Sequence, residues 1–267
     1  MAKDLLINSS FFYIIIDKEE KTKRFKSMKL IRRRRRILDI NQAVITAAGA
    51  GSRMKSTSSK PMTKVGDKKL IQYGIDVLLA CGINKIHIIY SKYSEDVLQL
   101  KEKYKDINFV KQEIINGSLT TFNFIENVCK PPFLVLDCDI IFSQTDFLEM
   151  LKTIKDDDYA DGYFAVVSRP MPDSPKYIKL NNNRIIDFNK NGFTDGYSGG
   201  MIYLWNNFPS ELSKEFYKKN NSLGAFYNQL VKKEVIKAMF IKQLEDIDTM
   251  EDVIKIEKRL KKSEIKI

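Results

Sequence analysis

Histidine occurs once in this chain, tryptophan once and cysteine three times among 267 residues. The one histidine, His87, sits inside the apolar run KIHIIY and reads as a core or strand-face residue rather than as an acid-base catalyst. Cys81, Cys129 and Cys138 are odd in number, widely spaced and set in apolar surroundings, which suggests neither a disulfide framework nor a zinc site. A reducing compartment, the cytoplasm, is the expectation. Long apolar runs are missing as well. Near the start the longest, Phe11 to Ile16, falls far short of the roughly 20 residues that a spanning helix needs, and no signal-peptide order of charges and cleavage site precedes it. Neither export nor membrane insertion is expected, and no internal repeat is visible.

What is present is ordinary in bulk and uneven in placement. A hydrophobic content of 43% with 30% charge is that of a soluble globular protein able to bury a core. The net charge of +11 is concentrated at the start: residues 1 to 41 hold twelve Lys or Arg against five Asp or Glu, or +7, leaving +4 for the rest. Lys21 to Arg36 contains ten basic residues and no acid. Such a leader could grip a nucleic-acid backbone or an anionic membrane surface. Without aromatic interleaving or a DNA-binding motif, a solvated arm is the favoured reading.

From Ala43 onward short apolar runs alternate with amphipathic stretches. AVITAA (43 to 48), KIHIIY (85 to 90), INFV (107 to 110) and FLVLD (133 to 137) read as buried strands, with helical spacing over 69 to 81, 94 to 104 and 119 to 128. This order predicts an α/β fold: a mostly parallel sheet sandwiched by helices, with ligands at the carboxyl ends of the strands. After residue 160 the pieces GYFAVV, KYIKL, RIIDF and GGMIYLW, parted by Pro-rich and Asn-rich turns, predict a small β-rich insertion over the mouth of the sheet. Helix is expected again over 207 to 232 and 249 to 262, with one strand, AMFIKQL (238 to 244), between.

The first strand runs into ITAAGAGSRMKSTSSKPM, residues 45 to 62. A dinucleotide fingerprint needs a third glycine at position 54, where Met54 stands, and no Gly-Lys-Ser/Thr completes a P-loop. Yet Gly49 and Gly51 would let backbone N–H groups approach phosphate oxygens, and Arg53 and Lys60 bring cations to the same rim. Downstream, FLVLDCDIIF places Asp137 and Asp139 on one side of a strand end. Two carboxylates there would be costly without a cation, and Mg2+ is the natural one; a turn-capping pair is the alternative. In EDIDTMEDV, Asp248 or Thr249 could cap a helix, a sufficient reason for the acids unless the preceding strand carries Asp248 to Asp139.

Taken together, AVITAAGAGSRMKSTSSKPMTKV, FLVLDCDIIF and DIDTMEDV resemble, in order and spacing over residues 42 to about 260, the nucleotidyltransferases that activate sugar phosphates and related phosphorylated alcohols. That family includes the molybdopterin nucleotidyltransferases and has a glycosyltransferase-A-like, Rossmann-like fold. The resemblance implies a nucleotidyltransferase domain over 42–267, following a basic leader over 1–41. It implies that Ala47, Ala48, Gly49, Ala50, Gly51, Ser52 and Arg53 hold the nucleotide, with Arg53 on the departing pyrophosphate. Lys60 would hold the α-phosphate and the acceptor phosphate. Asn116, Gly117 and Ser118 would read the base, with Asp137 also at the nucleotide; Asp139 and Asp248 would bind Mg2+. Lys190, Gly199 and Gly200 would line the acceptor site.

The sequence departs from the family at Ser59, where a proline is usual, at Lys69, likewise, and at Asn189, where a glutamate that contacts sugar is frequent. The implied reaction moves a nucleoside monophosphate from an NTP to a phosphorylated small-molecule acceptor, a sugar phosphate in the first instance, giving an NDP-sugar. CTP with phosphocholine or another phosphorylated alcohol is the alternative. A non-catalytic nucleotide-binding protein whose leader binds nucleic acid is the third reading, and a complete set of Arg53, Lys60, Asp139 and Asp248 argues against it. Tyr197, Trp205 and Phe226 could shape an acceptor pocket, although aromatics so placed are more often core.

Overall fold

The computed structural model describes residues 40–54, 58–155, 160–167, 177–189 and 197–262. Lys190 and nearly all of the basic leader lie outside them. Short strands buried in continuous runs alternate with helices through the first half: β1 (Gln42–Thr46), a hairpin of β2 (Lys64–Val65) and β3 (Lys68–Lys69), α1 (Leu70–Ala80), β4 (Lys85–Tyr90), β5 (Asn108–Lys111), α2 (Ser118–Phe124), β6 (Phe133–Asp137), β7 (Ile140–Phe142) and α3 (Gln144–Lys155). The second half holds β8 (Gly162–Val167), β9 (Tyr177–Asn181), β10 (Arg184–Asn189), β11 (Tyr197–Trp205), α4 (Ser210–Tyr217), α5 (Leu223–Lys233), β12 (Ile236–Phe240), β13 (Leu244–Asp246) and α6 (Met250–Lys261).

Nine strands form one sheet in the order β5-β4-β1-β6-β11-β8-β12-β10-β9. The pairs β5–β4, β4–β1, β1–β6 and β8–β12 are parallel, and β11 runs antiparallel between β6 and β8. The sheet is therefore mixed and mostly parallel. The pieces expected as a β-rich insertion extend it, with the β9–β10 hairpin joined through β12 and β11. The chain leaves β1 toward β4 and β5, then returns to place β6 on the other side of β1. That reversal opens a crevice at the carboxyl ends of β1 and β6, the usual ligand position in open α/β sheets.

Both faces of the sheet are buried, as strands apolar at every position require. Ala43, Ile45, Leu134 and Leu136 pack on one side with Ile75 and Leu78 of α1 and Phe147 and Met150 of α3. Val44, Val135, Phe164 and Tyr203 pack on the other with Phe122 of α2 and Phe226 and Tyr227 of α5. A third cluster is off the sheet: Met54, Val65, Leu70 and Tyr73 meet Ile141, Ile247, Val253 and Ile256. It docks α6 beside the loop after β1. Met54, only 2% exposed, is the residue that spoils a dinucleotide fingerprint; burying such a side chain contributes about 1.5–3 kcal/mol.

Two expectations require correction. Residues 238 to 244 are not one strand: β12 ends at Phe240, and Leu244 begins β13, which pairs antiparallel with β7 in a separate two-stranded sheet. An apolar run does not reveal that the chain changes sheets within it. Helical spacing over 94 to 104 yields a 3-10 helix at Glu95–Lys101, in which Val97 and Leu100 bury at the three-residue repeat of that geometry. Among the described residues no helix is long and apolar enough to cross a membrane.

A pair of acids closes the far end of the sheet. Asp161 accepts the Val235 N–H at 2.9 Å, and its backbone carbonyl accepts the Asn206 and Asn207 N–H groups at 3.0 and 2.9 Å. Beside it, burial and then the hydrogen bond and charge of Asp161 push the Glu234 carboxyl up to about 7. A carboxyl raised above its unfolded value leaves stability intact below about pH 4 and removes it as pH climbs through 7. Glu234→Gln is therefore expected to melt at least about 2 °C above the wild type at pH 8 and level with it near pH 4.5. Melting curves at the two pH values check this, and an equal difference at both would refute it.

Candidate active site

The loop after β1 is shaped from behind. Ser94 Oγ donates to the Ala47 carbonyl and Ser91 Oγ to the Ala48 carbonyl, both at 2.7 Å, while the Ala47 N–H donates to Ile89 O at 2.8 Å. Both serines are buried. With these carbonyls turned inward, the chain from Ala48 to Arg53 borders a cavity of about 580 Å³ at the crevice between β1 and β6. Gly51 turns the loop at φ +58°, and its α-carbon lies so close to Lys60 that a Cβ would meet Lys60 Cβ at 2.8 Å. The Met54 N–H closes the turn on Gly51 O at 3.0 Å.

Four elements bring charge to one spot. Asp139 follows β6, Asp246 ends β13, Asp248 precedes the N-cap of α6, and Lys60 opens a 3-10 turn at Lys60–Met62. The Ile247 N–H donates to Asp139 O at 2.9 Å, lacing β13 to the strand end that carries Asp139. Thr249 is the N-cap of α6, and Asp252 Oδ2 accepts the Thr249 N–H at 2.9 Å in a capping box. The Asp248 carboxylate is thereby left to face the cavity. Carboxylate oxygens of Asp139, Asp246 and Asp248 all lie within 4.8 Å of one another. Lys60 Nζ donates to Asp139 and, at 2.5 Å, to Asp248 Oδ1; Arg53 Nη1 donates to Asp248 Oδ2 at 2.6 Å.

This crowding sets the proton affinities. Burial works against the Lys60 charge, but Asp139 and Asp248 outweigh it and hold the ammonium pKa above its ordinary value. Asp246 moves up to about 7, through burial first and then the charges of Asp139 and Asp248. Three oxygen-donor side chains with only two cations among them fit a hard divalent ion. Asp246 was not among the metal ligands expected from the sequence, which were Asp139 and Asp248. The signal was there in DID: alternation along extended chain puts Asp246 and Asp248 on one side.

The remaining residues fall into three groups. Ser118 and Asp137 line the cavity together with Gly49, Ala50, Gly51 and Ser52, whereas Ala47 is buried beneath. Asp137 accepts Thr46 Oγ–H at 2.9 Å and stands outside the three-carboxylate group. Asn116 and Gly117 do not border the cavity: the Asn116 amide donates to Tyr217 Oη at 3.3 Å and its oxygen accepts from Asn221 Nδ2 at 3.2 Å. Gly117, at φ +78°, leaves no room for a Cβ, which would sit 2.9 Å from Asn221 O. Gly199 and Gly200 lie in β11, where a Cβ on Gly199 would meet Ala165 O at 2.3 Å, so close strand packing accounts for Gly199. Of the three aromatics, Trp205 lines the cavity floor, Phe226 is core, and Tyr197 packs edge-on to Phe240. His87, in β4, is buried against Asn108 and takes no part.

A glycine-bordered loop and a carboxylate cluster meet at the switch point of a mixed sheet in an α/β protein of glycosyltransferase-A-like fold, with donors that could hold phosphate and a metal ion. The chain belongs to the nucleotidyl transferase family, whose model matches residues 42–263. It is 27% identical over 159 residues to the bifunctional protein GlmU of Clostridium tetani (strain Massachusetts / E88), covering 54% of this chain and 32% of that protein. With the GlmU of Methanococcus vannielii it shares 27% over 185 residues, 64% of this chain and 42% of that one. The chain spans between 20% and 42% of the length of the curated relatives it matches. Its fold is shared with the inositol-1-phosphate CTP transferase from T. maritima at a TM-score of 0.71 and 18% identity, over 85% of this chain and 98% of that one.

Gly51→Ala combines a left-handed backbone, costing about 1–2 kcal/mol, with a Cβ driven into Lys60. Its melting temperature is expected to fall by no more than about 8 °C, while affinity for a nucleoside triphosphate falls at least about tenfold. Calorimetric titration beside a melting curve checks the two together, and unchanged affinity would count against the loop as the phosphate cradle.

Proposed function

We propose that this protein transfers a nucleoside monophosphate from an NTP to a phosphorylated small-molecule acceptor, releasing pyrophosphate. One observation carries the reading: Arg53, Lys60 and three carboxylates from distant parts of the chain converge at a loop bordered by glycines. An acceptor phosphate oxygen attacks the α-phosphorus as the bond from that phosphorus to the pyrophosphate oxygen breaks. The nucleophile is already an anion at neutral pH, so no general base is required, and a buried His87 with a lowered pKa is consistent with that. Asp139, Asp246 and Asp248 would hold Mg2+, which when bound supplies positive charge to the phosphates.

Binding then exchanges partners. Lys60 gives up its carboxylates for the α-phosphate and the acceptor phosphate, and Arg53, whose side chain is 72% exposed, is free to swing onto the pyrophosphate. Loop N–H groups from Ala48 to Arg53 cradle the phosphates, and Ser118 faces the nucleotide from α2. Asn116 spends its side chain on Tyr217 and Asn221 and lies off the cavity with Gly117, which leaves Ser118 as the base-side residue of the three. The acceptor belongs on the floor side, near Trp205 and the strand holding Gly199 and Gly200; Lys190 is assigned to it on the family resemblance alone. A sugar phosphate is the first choice. A phosphorylated alcohol with CTP is the second, favoured by the likeness to the T. maritima inositol-1-phosphate CTP transferase along almost its whole length. Free thiols at Cys81, Cys129 and Cys138 support a reducing, cytoplasmic setting.

The test is a matrix of four ribonucleoside triphosphates plus dTTP against phosphorylated sugars and alcohols, read as pyrophosphate release. One pair is expected to dominate, with EDTA stopping turnover and Mg2+ restoring it. Asp139→Asn should lower turnover at least about 100-fold without unfolding the protein. Full activity in that variant would remove the metal assignment, and nucleotide binding without release for any pair would favour a non-catalytic protein.

A further inference from the structure

Lys60 must hold one orientation to meet two carboxylates, yet its backbone lies in a 3-10 turn of only three residues, too short to be stable alone. On the carboxyl side the turn is anchored by packing, since Pro61 and Met62 are buried and Met62 joins the main core. On the amino side Asp96 supplies an anchor. Asp96 Oδ2 accepts the Ser59 N–H at 2.9 Å, and Asp96 Oδ1 accepts the Ser59 hydroxyl. Both oxygens of one carboxylate therefore grip the residue directly before Lys60, from 37 positions away in the chain.

The Ser59 conformation shows what this grip replaces. Its φ is −62°, the value that a proline ring would impose covalently, and its N–H, which a proline would lack, is the very group that Asp96 holds. Asp96 lies in the first turn of the 3-10 helix Glu95–Lys101, directly after the turn that supplies Ser91 and Ser94 to the carbonyls of Ala48 and Ala47. One short segment thus sets both the phosphate loop and the lysine opposite it. We infer that Asp96 is a positioning residue: it touches no reacting group and acts by fixing Ser59 so that Lys60 projects into the cavity.

The catalytic consequence rests on the transfer reaction proposed above, whereas the geometric claim does not, and the experiment separates them. Asp96→Ala, Asp96→Asn and the double variant Asp96→Ala/Ser59→Pro are compared with the wild type in two assays. The first is kcat for pyrophosphate release with the preferred substrate pair. The second is the rate of Lys60 acetylation by a pulse of acetic anhydride, read by peptide mass spectrometry with Lys68 as the internal reference. Asp96→Ala is expected to lower kcat at least about tenfold and to speed Lys60 acetylation by a similar factor, with Asp96→Asn intermediate. Proline at 59, which fixes φ without a partner, is expected to return both readouts to within about threefold of the wild type. A general loss of packing would not be repaired by that ring and would raise labelling at Lys68 as well. Wild-type kcat and labelling in Asp96→Ala, or losses that Ser59→Pro leaves in place, overturn the inference. Should Asp96→Ala fail to fold, the Asn variant carries the same comparison through Asp96→Asn/Ser59→Pro. If the wild type releases no pyrophosphate with any pair, the functional proposal fails and labelling alone decides the positioning role.

Discussion

The ammonium of Lys60, lodged between Asp139 and Asp248 with only 11% of its side chain exposed, is the interaction on which the site depends. Three half-buried carboxylates in one place repel one another, and without a counter-charge the chain segments that carry them would not stay together. Lys60 supplies that charge and is itself held in its protonated form by the acids it joins. Under the transfer proposed above, substrate uptake is an exchange of partners. A divalent ion can replace the lysine among the carboxylates, and phosphate oxygens can replace the carboxylates around the lysine, so no charge is stranded during the exchange.

Precision comes from parts outside the ion cluster. Met54, Ile247 and Val253 share one apolar cluster, which fixes the distance between the end of the loop after β1 and the start of α6, and so between Arg53 and Asp248. Buried Ser91 and Ser94 turn the loop carbonyls away from the cavity. Thr249 and Asp252 satisfy the first backbone donors of α6, sparing Asp248 that duty. Each is a local device, and together they hold a cluster that would otherwise repel itself apart.

The strands of the first half were legible because they are buried on both faces and so appear as short apolar runs: KIHIIY and FLVLD coincide with β4 and β6. Reading failed where one run serves two sheets, as between Phe240 and Leu244, and where a three-residue repeat looked helical, as at Val97 and Leu100. Within the site, the glycines, Arg53, Lys60, Asp139 and Asp248 were visible as residue types that phosphate and metal demand. Asp246 was passed over because the neighbouring helix cap offered a sufficient reason for its acidic surroundings. Asp96, Ser91 and Ser94 carried no local signature, since each acts on a carbonyl or amide dozens of residues away.

By itself, then, the sequence determined the α/β alternation, the glycine loop and the chemical types available for binding phosphate and metal, because those follow from periodicity and from the chemistry of individual side chains. Only the tertiary structure decided which acids face one another, which cation lies between them and which glycines serve packing. Those outcomes depend on β13 leaving the main sheet to pair with β7 and on α6 docking against Met54. Contacts between segments separated by up to about two hundred residues are products of the whole fold's packing, and no local pattern contains them.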